Sequence, residues 1–77
     1  MVVFRIKRVD LDVVITASED GVDRAVRFPE RLLHEIIAET GEIPDAREYP
    51  IGISVGADRV EISYEELLRL RAGLQLN

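Results

Sequence analysis

Residues 28–41, with the sequence FPERLLHEIIAETG, decide the fold, because every helix signal agrees in this stretch. Four large aliphatic residues have the i, i+1, i+4, i+5 spacing that makes one stripe on a helix: Leu32, Leu33, Ile36 and Ile37. Pro29 suits the first helical position, and Gly41 suits the left-handed residue that closes a helix. The sequence therefore predicts a helix over about 29–40, whose apolar stripe the flanking segments must cover.

The N-terminal residues 1–17 alternate between apolar and polar as a strand does, but the alternation changes phase. The first apolar residues occupy even positions, and the later ones occupy odd positions, namely Val9, Leu11, Val13 and Ile15. Because such a change moves the apolar side chains to the other face, the pattern breaks between residues 7 and 10. Two alternatives stay open: a tight turn between two strands, which we favour, or one long strand with a β-bulge.

A turn at residues 18–21, Ser-Glu-Asp-Gly, leads into a second alternating run that ends at Phe28. With Ala17 placed opposite Val22, both runs present apolar residues to one side. The other expected partners are Val13 with Val26, Leu11 with Phe28, and Asp12 with Arg27 as a cross-strand ion pair. The sequence thus predicts a first hairpin with this register.

A second hairpin is predicted after the irregular, proline-bracketed stretch between Pro44 and Pro50. Residues 51–55 and 60–62 both alternate, and residues 56–59 separate them. The expected register pairs apolar residues across the turn: Val55 with Val60 and Ile53 with Ile62.

The C-terminal helix has the clearest start signals in the sequence. Ser63 and Glu66 form a capping box, and Ile62 with Leu67 form a hydrophobic staple. The helix is expected to run from about 64 to 72 and to end at Gly73. The two leucines beyond this end, Leu74 and Leu76, are expected to pack back on the domain or onto a neighbouring chain.

These elements predict one α+β domain over residues 1–77. Its architecture is an antiparallel sheet of four to five strands in two hairpins, with the helix at about 29–40 packed on one face. The short C-terminal helix at about 64–72 lies at the margin, and the order is ββ(β)αββα.

Composition limits the class of protein. With 47% hydrophobic and 32% charged residues, and no apolar run near the roughly 20 residues of a membrane span, we expect a soluble protein without membrane contact. The N-terminus has no signal-peptide pattern, so we expect a cytoplasmic location. The lack of cysteine excludes disulfides, thiolate nucleophiles and zinc–sulfur sites. Many charges and few amides are typical of heat-tolerant proteins, although a GC-rich genome gives a similar bias.

No residue set predicts an enzyme. His34 is the only histidine, and a surface contact with Glu30, one turn earlier, is the simpler interpretation. Asp10 and Asp12 share one side of a strand as cation ligands do, but Arg27 opposite Asp12 favours an ion pair. We therefore expect no catalytic residues, no metal and no cofactor.

Two surfaces are candidates for binding. Gly52 and Ser54, continued by Gly56, form a strip almost without side chains, which another chain or the C-terminal helix could approach closely. With Leu74 and Leu76, this strip predicts a small protein-binding module that self-associates as a homo-oligomer. The alternative is nucleic-acid binding through a basic N-terminal group, which consists of Arg5, Lys7, Arg8 and Arg27. Against this alternative stand the net charge of −5 and the lack of aromatic residues near the basic group.

Overall fold

The computed structural model describes residues 1–75 and has an α+β fold. The elements are β1 (Val3–Val9), β2 (Asp12–Glu19), β3 (Val22–Pro29), α1 (Glu30–Gly41), a short 3₁₀ helix (Ala46–Glu48), β4 (Ile51–Val55), β5 (Asp58–Ile62) and α2 (Tyr64–Gln75). The predicted fold class and the predicted order ββ(β)αββα are confirmed.

The strands of residues 1–75 form two antiparallel sheets. One is a three-stranded meander with β2 between β1 and β3, and the other is the β4–β5 hairpin. The prediction of one sheet with four to five strands was therefore inexact. The apolar face of the hairpin contributes to the same buried cluster as the inner face of the meander. Side-chain packing, rather than a continuous hydrogen-bonded ladder, thus joins the two sheets.

The N-terminal segment consists of two strands, the alternative that we favoured. Val9 pairs with Asp12, and Asp10 lies in the connection with a positive φ of 56°, which aspartate adopts more readily than most residues. Leu11 is 87% exposed, so its predicted place opposite Phe28 on the apolar face was wrong. Its carbonyl oxygen instead accepts a hydrogen bond from the backbone N–H of Glu30 at 2.9 Å.

Both predicted hairpins are present, but both registers differ from the prediction by two residues. The observed pairs are Val13 with Phe28 and Ile15 with Val26 in the first hairpin, and Ile53 with Val60 and Ile51 with Ile62 in the second. Each turn has two residues rather than the four assumed, so one strand of each hairpin extends two residues further. Asp20 and Gly21 both have positive φ, and Gly56 has a φ of 60°, as two-residue hairpin turns require.

Helix α1 covers the sheets with part of its predicted stripe. Leu33 and Ile37 are buried, whereas Leu32 is 36% exposed and Ile36 is half-buried. Gly41 does not end the helix in the left-handed conformation that was predicted, since its φ is not positive. A Cβ at this position would lie 2.8 Å from the Tyr64 hydroxyl, so Gly41 allows the two helices to approach closely.

Helix α2 begins as predicted and ends later than predicted. The Ser63 hydroxyl accepts a hydrogen bond from the Glu66 N–H at 3.1 Å, which confirms the cap. The helix continues through Gly73 to Gln75, because Leu74 is buried beside the other inward-facing leucines of the helix. The Arg8 guanidinium also donates to the Leu74 carbonyl oxygen at 3.1 Å.

The core draws on both sheets and both helices. Its buried residues are Val13, Ile15, Val26, Phe28, Leu33, Ile37, Ile53, Val60, Ile62, Tyr64, Leu67, Leu70 and Leu74. Neither α1 nor α2, the α-helices of the described chain, has the length and the apolar run needed to cross a lipid bilayer.

Candidate protein-binding groove

Among the described strands, β4 pairs with β5 alone, so its other edge has no neighbouring strand. The pair Val55–Asp58 closes the two-residue turn. In such a hairpin the closing pair is hydrogen-bonded and the pairs then alternate, so Gly52 and Ser54 direct their N–H and C=O groups away from β5. Within residues 1–75, no backbone hydrogen bond from outside the ladder reaches either residue. The edge therefore offers backbone donors and acceptors to another chain.

A groove of about 260 Å³ lies between this edge and helix α1. Leu32 and Ile36 form the helix wall, the consecutive residues 51–55 form the strand wall, and Phe28 also lines the groove. Strand side chains alternate between faces, so a groove that contacts every residue of β4 must follow its edge. Leu32 is 36% exposed and Val55 is 39% exposed, which leaves both walls apolar and open to solvent.

Arg59 covers the small-residue strip that Gly52 and Ser54 form on the outer face of the hairpin. Its guanidinium donates to the Ser54 hydroxyl at 3.1 Å and lies 3.3 Å from a carboxylate oxygen of Glu61. A Cβ on Gly52 would meet this guanidinium, but the guanidinium is the far end of an exposed, flexible side chain and could shift. The strip thus lies beneath an arginine side chain of its own hairpin.

The outer rim of the groove is acidic. Glu35 and Glu39 are exposed and lie one helical turn after Leu32 and Ile36, respectively. They therefore border the groove wall on the side away from Leu33 and Ile37, the residues that face the core. The sequence prediction did not include this wall, because all four aliphatic residues of the stripe were assigned to the core.

The two leucines of the predicted binding surface differ in status. Leu74 is 4% exposed and packs in the core of its own chain, the first of the two alternatives that the sequence left open. Leu76 lies outside the described residues. The exposed part of the predicted surface is therefore Gly52 and Ser54.

The structure separates the predicted basic group. The register places Arg5, Lys7 and Arg27 on the outer face of the meander, as expected, and Arg8 on the inner face at its margin. Arg5 lies 3.7 Å from an Asp23 carboxylate oxygen, and Arg27 forms the predicted ion pair with Asp12 at 2.8 Å.

Those two acids leave the three outer cations with a net charge of +1, from three positive and two negative side chains. The strands of this face contribute no aromatic side chain on which a base could stack. The outer face thus lacks both the strong positive charge and the stacking surfaces that are typical of nucleic-acid binding.

Arg8, Glu30 and His34 form a polar cluster where β1 meets both helices. Arg8 Nε donates to Glu30 at 2.7 Å, and His34 Nε2 lies 3.4 Å from the same carboxylate, so the predicted contact of His34 with Glu30 is confirmed. The hydrogen bond from Arg8 lowers the pKa of Glu30 below its ordinary value; slight burial opposes this change, and His34 adds to it. These contacts hold β1 against the helices, which is a structural role.

Asp10 and Asp12 do not share one strand, as the sequence suggested they would. Asp12 contacts Arg27, whereas Asp10 lies in the turn at positive φ. Within residues 1–75, no group of three or more histidine, cysteine, aspartate or glutamate side chains is placed to hold a metal ion.

Comparison of the chain with protein-family models, with curated proteins and with solved structures finds no match.

Proposed function

We propose that this chain is a non-enzymatic protein-binding module that takes an extended segment of another chain along the free edge of β4. In strand addition of this kind, backbone hydrogen bonds provide affinity, and pockets for alternate side chains provide specificity. The cytoplasmic location expected from the N-terminal sequence and the heat tolerance expected from the composition remain predictions that accompany this role.

The observation that carries the proposal is the position of four backbone groups, without a partner in residues 1–75, beside an apolar groove. These groups are the N–H and C=O of Gly52 and of Ser54. An exposed edge favours pairing with another chain, and proteins commonly block such edges with charged residues, proline or a covering segment. In β4 the two edge positions carry a glycine and a serine, and the neighbouring wall is formed by Leu32 and Ile36.

A nuclear magnetic resonance titration tests the proposal. The isotope-labelled chain is mixed with a library of short peptides of alternating apolar and polar residues. We expect amide shifts at residues 51–55 and near Leu32 and Ile36, where the added strand would lie. Shifts confined to other surfaces, or no shifts at millimolar peptide, would contradict the proposal.

The variant Ser54→Pro removes an outward N–H without removing a ladder bond to β5, and proline is tolerated at such edge positions. Ser54→Ala is its matched control, because it loses the same side-chain bond to Arg59 but keeps the N–H. We expect Ser54→Pro to weaken peptide binding and Ser54→Ala to leave it nearly unchanged.

Self-association through the same edge is the second candidate, and the sequence of β4 favours it. An antiparallel pairing of two copies about Ile53 would place Gly52 opposite Ser54 and Ile51 opposite Val55. Small residues then meet small residues, and apolar residues meet apolar ones.

Light scattering after size-exclusion chromatography, at high micromolar concentration, tests this second candidate. A dimer that Ser54→Pro converts to a monomer would support it, whereas a wild-type monomer would contradict it. Deleting residues 74–77 is not a clean test, because Leu74 belongs to the core.

A further inference from the structure

We infer that the segment bound in the β4–α1 groove comes from a different protein, spans about five residues, and carries apolar side chains at alternate positions with lysine or arginine at its ends. This inference rests on the proposed function and specifies its ligand.

The length follows from the ends of the free edge. β4 has 5 residues, Pro50 precedes it and has no N–H to donate, and Gly56 after it turns away at a φ of 60°. A paired strand therefore finds backbone partners only between these two residues. A longer segment would leave the edge at both ends.

The alternation follows from the spacing of the helix wall. Side chains two residues apart on a strand are about 6.6 Å apart, and helix residues four apart are separated by about 6 Å along the axis. Leu32 and Ile36 are four residues apart on the helix and line the groove opposite β4. Two alternate aliphatic side chains of the bound strand would thus each face one residue of the wall, and the intervening side chains would face Arg59 and be polar.

The basic residues expected at the ends of the bound segment follow from the acidic rim of the groove. Glu35 and Glu39 are exposed beside the wall, and no ion pair within the described residues involves either of them. The chain as a whole has a net charge of −5, so its field also attracts cations. A lysine or arginine at either end of the bound segment lies within reach of this rim.

The same charges disfavour a second copy as the occupant. Pairing two copies through β4 would bring Glu35 and Glu39 of one copy toward the same two residues of the other, and like charges at an interface oppose association. A basic partner avoids this repulsion and is attracted by the acidic rim.

Fluorescence anisotropy with labelled peptides tests the inference. The probe alternates valine and threonine and has a lysine at each end, and the comparison peptide has glutamate in place of both lysines. At low salt we expect the lysine peptide to bind about tenfold more tightly, the difference that two exposed charge pairs produce. This difference should shrink as salt is added.

Two double variants with the same change in net charge test whether Glu35 and Glu39 cause this preference. Reversing the rim charges with Glu35→Lys and Glu39→Lys should remove or invert the preference for the lysine peptide. Glu48→Lys with Glu65→Lys changes the net charge equally at exposed positions that do not line the groove, and should retain the preference. A lysine peptide with N-methyl groups on the amides that face β4 should not bind, because strand addition needs those donors.

Each outcome is decisive. Equal binding of the two end-charge peptides at the groove would overturn the inference and leave the proposed function standing. Absence of binding by every extended peptide would overturn both. A dimer formed through β4 that no peptide displaces would show that a second copy occupies the edge, and would also overturn the inference.

Discussion

At the scale of single residues, Arg8 has the widest set of contacts in the polar cluster. Its guanidinium donates to both carboxylate oxygens of Glu30, at 2.7 and 3.2 Å, and to the Leu74 carbonyl oxygen. One side chain of β1 thereby fixes the start of α1 and the last turn of α2. A planar group with several donors is needed for this geometry, so lysine would be a poor substitute.

This cluster predicts a change in acid stability. Because Arg8 lowers the pKa of Glu30 in the folded chain, the unfolded chain takes up the proton more readily. The contribution of the pair is complete above the ordinary glutamate pKa of about 4.3, and is lost as the pH falls through the lower folded-state value. Urea unfolding of Glu30→Gln between about pH 3 and 7 should therefore show a weaker loss of stability in acid than the wild type.

Glu35→Gln is the control for this measurement. Glu35 is exposed and belongs to no ion pair of the described residues, so its variant should follow the wild-type curve. Part of the acid sensitivity should persist in Glu30→Gln, because Arg69 lowers the pKa of Glu66 in the same way. Parallel curves for Glu30→Gln and the wild type would contradict the assigned role of Arg8.

Gly41 and Tyr64 give a second prediction at this scale. In an open helix, Gly→Ala stabilises by about 1 kcal/mol, but here the new Cβ would lie 2.8 Å from the Tyr64 hydroxyl. We expect Gly41→Ala to destabilise the wild type by roughly 1 kcal/mol, since overpacking costs about 1–3 kcal/mol. In a Tyr64→Phe background the nearest ring carbon is at 3.6 Å, so the same change should stabilise. Denaturant unfolding of the wild type, the two single variants and the double variant measures the reversal of sign.

At the scale of the secondary-structure elements, the sequence predicted the positions of the hairpins and helices, and the lengths of the turns explain why the registers were wrong. Alternation and capping residues located both hairpins and both helices. The registers failed because Asp20-Gly21 and Gly56-Ala57 act as two-residue turns, a signal present in the sequence but interpreted as longer turns. Gly73 indicates a helix end by sequence alone, but burial of Leu74 outweighs the roughly 1 kcal/mol cost of a helical glycine.

The candidate site was predicted only in part, because its geometry also depends on the hairpin register. In the sequence, Gly52 and Ser54 stand out for their small side chains, but in the structure their backbone groups matter, and the direction of those groups depends on the register. The helix wall could not be predicted from the stripe alone. Which of its four aliphatic residues face the core depends on how α1 lies against β3 and β4, and this is a tertiary property.

The turn of the second hairpin makes a testable element-scale prediction. Gly56 has a φ of 60°, which costs an L-residue about 1–2 kcal/mol, so Gly56→Ala should lower the free energy of unfolding by about that amount. Gly73→Ala is the matched control, because a Cβ there would lie within 4 Å of no atom from another element of residues 1–75, and Gly73 is helical. Thermal unfolding should show a lower Tm for Gly56→Ala and an unchanged or higher Tm for Gly73→Ala. Equal effects of the two changes would argue against this turn geometry.

At the scale of the whole molecule, two small sheets and two helices share one buried cluster, and the chain has only 77 residues. A chain of this size buries about 60–65% of its unfolded surface, so each core residue contributes a large share of the stability. Leu74 is the last core residue within the described part, and it reaches the core only because α2 continues past Gly73.

Leu74→Ala should therefore destabilise the chain by about 2–5 kcal/mol, as buried leucine truncations do. Gln75→Ala, at the exposed neighbouring position, should change stability by less than about 0.5 kcal/mol. Chemical denaturation measures both values, and amide exchange of the last turn of α2 shows whether the helix end is released. If Leu74 served an interface rather than the core, its truncation would reduce association and leave the monomer's unfolding unchanged. A loss of monomer stability thus separates the two alternatives that the sequence left open for this leucine.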